Sequence, residues 1–221
     1  MVDFATARTK MVDNQLRTFD VNTPEVLDAM GAVPRESFVP VGKRPLAYID
    51  EDLALNGNGA ADRFLMKPAL FAKMVKTVEV APDDIVLVIG CGTGYSAAVL
   101  AKMASSVVAL ESDADLAATA SQVLVDLGFD NVAVVEGPLQ DGWKQEAPYD
   151  VILVEGAVEA LPAALLEQLK DGGRLIAVEG HGNAATAVLY IRSGDEAPGR
   201  AAFNASVKPL PGFSKEPEFV F

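Results

Sequence analysis

From residue 85 onwards the chain alternates short, almost purely apolar runs with stretches of helical periodicity. Runs of four or five apolar side chains at 85–89, 107–110, 132–135, 151–154 and 174–178 have the length and β-branched content of buried strands. The segments between them read as helices: 95–103, rich in small side chains; 113–127, opened by the capping pair Ser112 and Asp113 and closed by Gly128; and 162–170, which starts at a proline. Strands separated by helices favour a parallel sheet. The pattern then changes: 187–191 and 205–207 flank a turn-rich stretch, 193–199, and predict an antiparallel pair. The expected fold is therefore α/β: a Rossmann-like sheet of seven strands, mostly parallel, with an antiparallel C-terminal pair. The first 80 residues read as a helical extension packed on the core formed by 81–221. Its helices are placed at 6–17, then from a cap at Thr23 with Pro24 in the first turn, and at 68–78. A loop at 56–62 carries two glycines and two asparagines and is suited to close approach to a ligand.

Composition narrows the partners. Eighteen basic against 31 acidic side chains give a formal charge of −13, with half of the 221 residues hydrophobic. A surface so acidic, without any Lys/Arg-rich run, repels phosphate backbones and argues against nucleic acid. One cysteine, Cys91, excludes an intrachain disulfide; one histidine, His181, in a glycine-flanked loop, leaves no Cys/His set for zinc, so no metal is expected. No leader-like start and no run of about 20 apolar residues is present, so the expectation is a cytoplasmic protein without a membrane partner, a monomer or small homo-oligomer.

The candidate chemistry gathers where the first central strand ends. Gly90, Cys91, Gly92, Thr93 and Gly94 form a turn between strand and helix, bare enough for a ligand to meet backbone amides. The dinucleotide spacing G-x-G-x-x-G fails because Tyr95 takes its last position, which disfavours NAD and FAD. Seventeen positions after Gly94, at the end of the second strand, stands Glu111, the interval expected for an acid that accepts hydrogen bonds from ribose hydroxyls. Turn and acid together fit one nucleoside-like ligand. Cys91, without a histidine nearby in sequence, reads as a small pocket-lining residue.

The segment from Val86 to Tyr95 resembles the first motif of class I S-adenosylmethionine-dependent methyltransferases, and specifically of protein-L-isoaspartate O-methyltransferases. Residues 11–16, 33–40 (Val-Pro-Arg-Glu-Ser-Phe-Val-Pro), 47–50, 142–143 with 147–150, and 169–175 resemble that family in the same order, the second of these being much more family-specific than the glycine turn. The resemblance implies a seven-stranded methyltransferase fold, S-adenosyl-L-methionine as cofactor, and methylation of the abnormal carboxylate of an isoaspartyl residue in a damaged protein or peptide. It implies cofactor contacts at Gly90, Cys91, Gly92, Thr93, Gly94, Glu111, Gly137 and Leu139, and an acceptor site at Phe64, Leu65, Met66 and Lys67. A carboxylate is already anionic at pH 7 and a sulfonium leaves readily, so alignment and desolvation suffice without a strong base. No catalytic residue is singled out.

Three positions depart from the family pattern. Phe64-Leu65-Met66-Lys67-Pro68 stands where the family has Thr-Ile-Ser-x-Pro, Val88 replaces an acid, and Pro138 interrupts a Gly-Asp-Gly motif. These departures keep two alternatives open: a non-catalytic or regulatory relative that binds the cofactor weakly or not at all, and a methyltransferase for another acceptor.

Overall fold

The computed structural model describes residues 2–55 and 63–214; the 56–62 loop lies outside the described residues. Helix α1, Phe4–Met11, starts where the Asp3 carboxylate accepts the Thr6 N–H at 3.1 Å, and runs on through a π turn, Val12–Leu16, and a 3-10 turn, Arg17–Phe19. Asp20, at φ 64°, ends it. Pro24 opens α2, Pro24–Ala32, but the side chain of Thr23 makes no capping bond, so proline geometry rather than the expected threonine cap sets this start. Two-residue strands β1, Leu53–Ala54, and β2, Phe64–Leu65, pair antiparallel before α3, Pro68–Val78. Leu70, Phe71, Met74, Val75 and Val78 recur at helical spacing on α3 and are buried.

The central sheet follows: β3, Ile85–Ile89; α4, Tyr95–Ala101; β4, Ser106–Glu111; α5, Ala114–Asp126; β5, Val132–Glu136; β6, Tyr149–Val158; α6, Ala163–Leu166; β7, Leu169–Glu179; β8, Thr186–Ile191; β9, Gly199–Asn204. Among the described residues the sheet has seven strands in the order β5-β4-β3-β6-β7-β8-β9, parallel as far as β7 and antiparallel beyond it. Successive residues of β3 point to opposite faces and both faces are dry. Val86 and Val88 join the cluster under α3 and α4, which also takes in Met11, Leu16 and Met30 of the N-terminal segment; Leu87 and Ile89 join a second cluster with Leu139, Leu165, Leu210 and Phe213. Burial on two faces is why these strands are continuous apolar runs.

Two expectations need correction. The helix placed at 162–170 is only the single turn Ala163–Leu166, because the chain is already strand at Leu169, which pairs with Tyr149. The last strand is Gly199–Asn204, not 205–207. Gly199 permits this register, since a side-chain carbon there would lie 2.6 Å from the Tyr190 ring. The apolar residues that follow are used elsewhere: Val207, Leu210 and Phe213 are buried as the chain crosses the end of β6, where Ala157 N–H donates to Lys208 O and Leu210 N–H to Ala157 O.

Candidate cofactor site

The strand order reverses at β3, whose neighbours β4 and β6 lead away in opposite directions, and open α/β sheets form a crevice at the carboxyl end of such a strand. Here the turn Gly90–Gly94 leaves β3, and Glu111 ends the adjacent β4. Gly90, Gly92 and Gly94 have φ of 80°, 55° and 94°, left-handed conformations that glycine adopts without strain. The turn is held by its own amides: Gly90 and Cys91 donate to Leu110 O, Gly94 donates to Cys91 O, and Gly92 donates to Glu111 Oε2 at 2.8 Å. Thr93 gives its hydroxyl to Phe38 O at 2.6 Å. Cys91 is buried; desolvation first, and the Glu111 charge second, push its thiol well up, so it is no nucleophile. Gly137 joins through its N–H to Glu111 O at 3.0 Å, whereas Leu139 is a core residue of the second cluster.

The residue that sequence reasoning missed is Arg63. Its guanidinium grips Glu111 with both arms, Nη1 to Oε1 at 2.8 Å and Nη2 to Oε2 at 2.9 Å, and Nη2 also donates to Gly90 O at 2.9 Å. Arg63 is 3% and Glu111 0% exposed, so this is a buried fork-to-fork pair. Glu111 Oε1 further accepts the N–H groups of Ser112 and Asp113 at 2.8 and 3.1 Å. Leu55, whose N–H donates to Arg63 O, and Leu210 close the rest: a side-chain carbon built on Gly92 would stand 2.6 Å from Leu55 Cδ1, and one on Gly90 2.7 Å from Leu210 Cδ1. On the far side of the crevice Gly156 meets Leu210 in the same way, at 2.8 Å from its Cβ. The neighbouring surface cleft, about 320 Å³ between Thr93, Leu55, Phe38 and Leu116, does not have Gly90 or Glu111 in its wall.

Beside this pair lies a second polar group of the interior. Burial first, with the Glu111 charge adding to it, raises the Glu155 carboxyl to about 8, although Ser96, Arg63 and Arg35 oppose the shift. Arg35 is fully buried, 4.7 Å above the Tyr95 ring, donating to Ala47 O and Met66 O at 2.7 Å each.

The acceptor candidates are split. Leu65 and Met66 are 2% and 3% exposed and belong to the main core, so neither faces an open site. Phe64, on the opposite face of β2, lies 5.5 Å from Lys208 Nζ, and Lys67 caps α3 with its backbone N–H on Asp52 Oδ1 at 2.9 Å. His181 is exposed, 3.4 Å from Glu159. Among the described residues no group of three or more His, Cys, Asp or Glu is placed to hold a metal ion, and no helix is long and apolar enough to cross a membrane.

The model of one protein family, protein-L-isoaspartate (D-aspartate) O-methyltransferase, matches residues 6–202, which span the turn, Glu111, the hairpin and the central sheet up to the middle of β9. The chain belongs to this family. Two isoaspartyl O-methyltransferases illustrate the distance: that of Koribacter versatilis (strain Ellin345) is 40% identical over 80% of this chain and 78% of its own, and that of Protochlamydia amoebophila (strain UWE25) is 36% identical over 93% and 96%. A solved protein-L-isoaspartate O-methyltransferase superposes with a TM-score of 0.82 at 27% identity, covering 93% of this chain and 66% of that longer one. A Plasmodium falciparum structure assigned to the same methyltransferase, in complex with S-adenosyl-L-homocysteine, shares the fold at a TM-score of 0.78 and 19% identity. For S-adenosyl-L-methionine the donor set of this family member suits a nucleoside, with an acid at the end of β4 beside a glycine turn. The space does not: Arg63, Leu55 and Leu210 fill it, and both Glu111 oxygens are engaged.

Proposed function

We propose that the chain is an S-adenosyl-L-methionine-dependent carboxyl O-methyltransferase of the isoaspartyl-repair type, acting on damaged proteins or peptides. The observation that carries this is the family match over residues 6–202 together with the juxtaposition of the glycine turn and Glu111 at the sheet's switch point. Glu111 and the turn Gly90–Gly94, with Gly137 behind them, are the cofactor-holding residues in this reading. Phe64 and Lys67 are the acceptor-side residues that remain outside the core. Residues 1–80 act as a cover that completes the sheet's apolar face, and the charge of −13 favours a protein or peptide over nucleic acid as partner.

The test is transfer of a labelled methyl group to an isoaspartyl peptide, with its normal aspartyl counterpart as control. Alkali-labile label on the isoaspartyl peptide alone is the expected result; label no higher than in an enzyme-free reaction contradicts the reading. The filled crevice favours a second reading, a relative that keeps the fold as a binding or regulatory module, and the absence of transfer by any form of the protein is its signature.

A further inference from the structure

We infer that Arg63 and Leu210 are a built-in occupant of the cofactor crevice, so that this chain rests in a closed form from which S-adenosyl-L-methionine is excluded until both side chains withdraw. The inference rests on the methyltransferase reading above and concerns regulation of the same site.

The observations are geometric. Glu111 is the carboxylate a ribose would use, and its two oxygens already receive Arg63 in the bidentate arrangement that gives the strongest charged hydrogen bonds. The same guanidinium takes Gly90 O, so one side chain uses up the acid and a carbonyl of the turn. Leu210 presses on two bare backbone positions at once, Gly90 and Gly156, which flank the crevice from β3 and β6. Neither contact is an accident of a mobile surface side chain. Arg63 is set by the β1–β2 hairpin, in which Leu53, Leu55, Arg63 and Leu65 are all buried on one face, and Leu210 is set by its backbone bond to Ala157.

The occupant also makes chemical sense of the burial. A fully desolvated Glu111 needs a cation, and a guanidinium supplies the parallel pair of N–H donors that two ribose hydroxyls would supply, with the charge added. Cofactor and Arg63 therefore compete for the same two oxygens. Where the open form is a fraction of the population, the apparent dissociation constant is the intrinsic one divided by that fraction. An open fraction of about 1% weakens binding about a hundredfold.

The experiment is calorimetric titration of S-adenosyl-L-methionine into the full-length protein and into two variants, Arg63→Ala and Leu210→Ala, each checked for folding by circular dichroism, with methyl transfer to an isoaspartyl peptide measured alongside. The expected result is binding at least tenfold tighter in Arg63→Ala than in the unchanged protein, and several-fold tighter in Leu210→Ala. Leu210→Ala carries the test alone if Arg63→Ala does not fold, because it thins the occupant without leaving a charge unpaired. Equal affinity in all forms, weaker binding in the variants, or no binding by any of them overturns the inference. Tighter binding without transfer by any form upholds the closed site and refutes the methyltransferase reading instead; transfer with unchanged affinities does the reverse.

Discussion

At the scale of single residues the buried ionisable groups make opposite demands. Glu155 holds its proton up to about pH 8 in the folded protein because burial penalises the anion, against 4.5 for an ordinary glutamate. The native state therefore binds more protons than the unfolded chain between those values, and stability falls as pH rises from about 4.5 to about 8, then levels off. Glu155→Gln removes this dependence. Urea unfolding at pH 5 and pH 8 should show the unchanged protein losing roughly 1–4 kcal/mol relative to the variant; parallel behaviour of the two proteins would mean Glu155 ionises freely. Arg63 and Glu111 behave differently, since each is tied to the other. Arg63→Met leaves Glu111 buried without its cation and is expected to cost about 3–5 kcal/mol in urea unfolding. Glu111→Leu should cost at least as much, because the N–H groups of Gly92, Ser112 and Asp113 lose their acceptor with it. Losses below about 1 kcal/mol in both would show a pair that is exposed in solution.

At the scale of elements the glycine turn and its helix are set by close contact. Gly94, at φ 94°, precedes α4 and would place a side-chain carbon 3.1 Å from Leu124 Cδ1 and 3.2 Å from Ala120 Cβ. Gly94→Ala therefore combines backbone strain with crowding and is expected to lower stability by about 1–3 kcal/mol, read as a lower unfolding midpoint; an unchanged midpoint would show that α5 can retreat. The inner strands β3, β4, β6 and β7 were legible because burial on both faces writes itself as apolar runs; the edge strand β5, with no buried residue, was legible from its β-branched residues, and the Gly90–Gly94 turn from its glycines. Asp113 was legible as a cap for the same local reason: its carboxylate accepts the N–H groups of Asp115 and Leu116. The β1–β2 hairpin was not legible, since two residues per strand carry no periodicity. Sequence reading stopped at Phe64–Lys67 and passed over Arg63, one residue earlier, because nothing local marks a cation whose partner is 48 positions away. Leu210 went unread: of Val207, Leu210 and Phe213, which recur every third residue and cover the end of the sheet, only Val207 was placed, and it was placed in the expected last strand.

For the whole molecule, family and fold follow from features spread along the chain, while the state of the site follows from two long-range contacts. The helical N-terminal segment contributes Met11, Leu16 and Met30 to the same cluster as Val86 and Val88, so the sheet's first face is completed by residues before position 80. That segment also brings Arg35 under the turn, where its stack on Tyr95 joins the extension to the start of α4. The hairpin and the crossing at Leu210 then close the crevice that the strand order opens. A methyltransferase built this way must exchange an internal ion pair for its cofactor, which separates having the fold from having the site available. The most direct measurement is a crystal structure of the protein grown with saturating S-adenosyl-L-methionine. The account expects the cofactor's ribose on Glu111, with the Arg63 guanidinium and the Leu210 side chain displaced from Gly90. A crevice still occupied by Arg63 on Glu111, with no cofactor beside the Gly90–Gly94 turn, would contradict it.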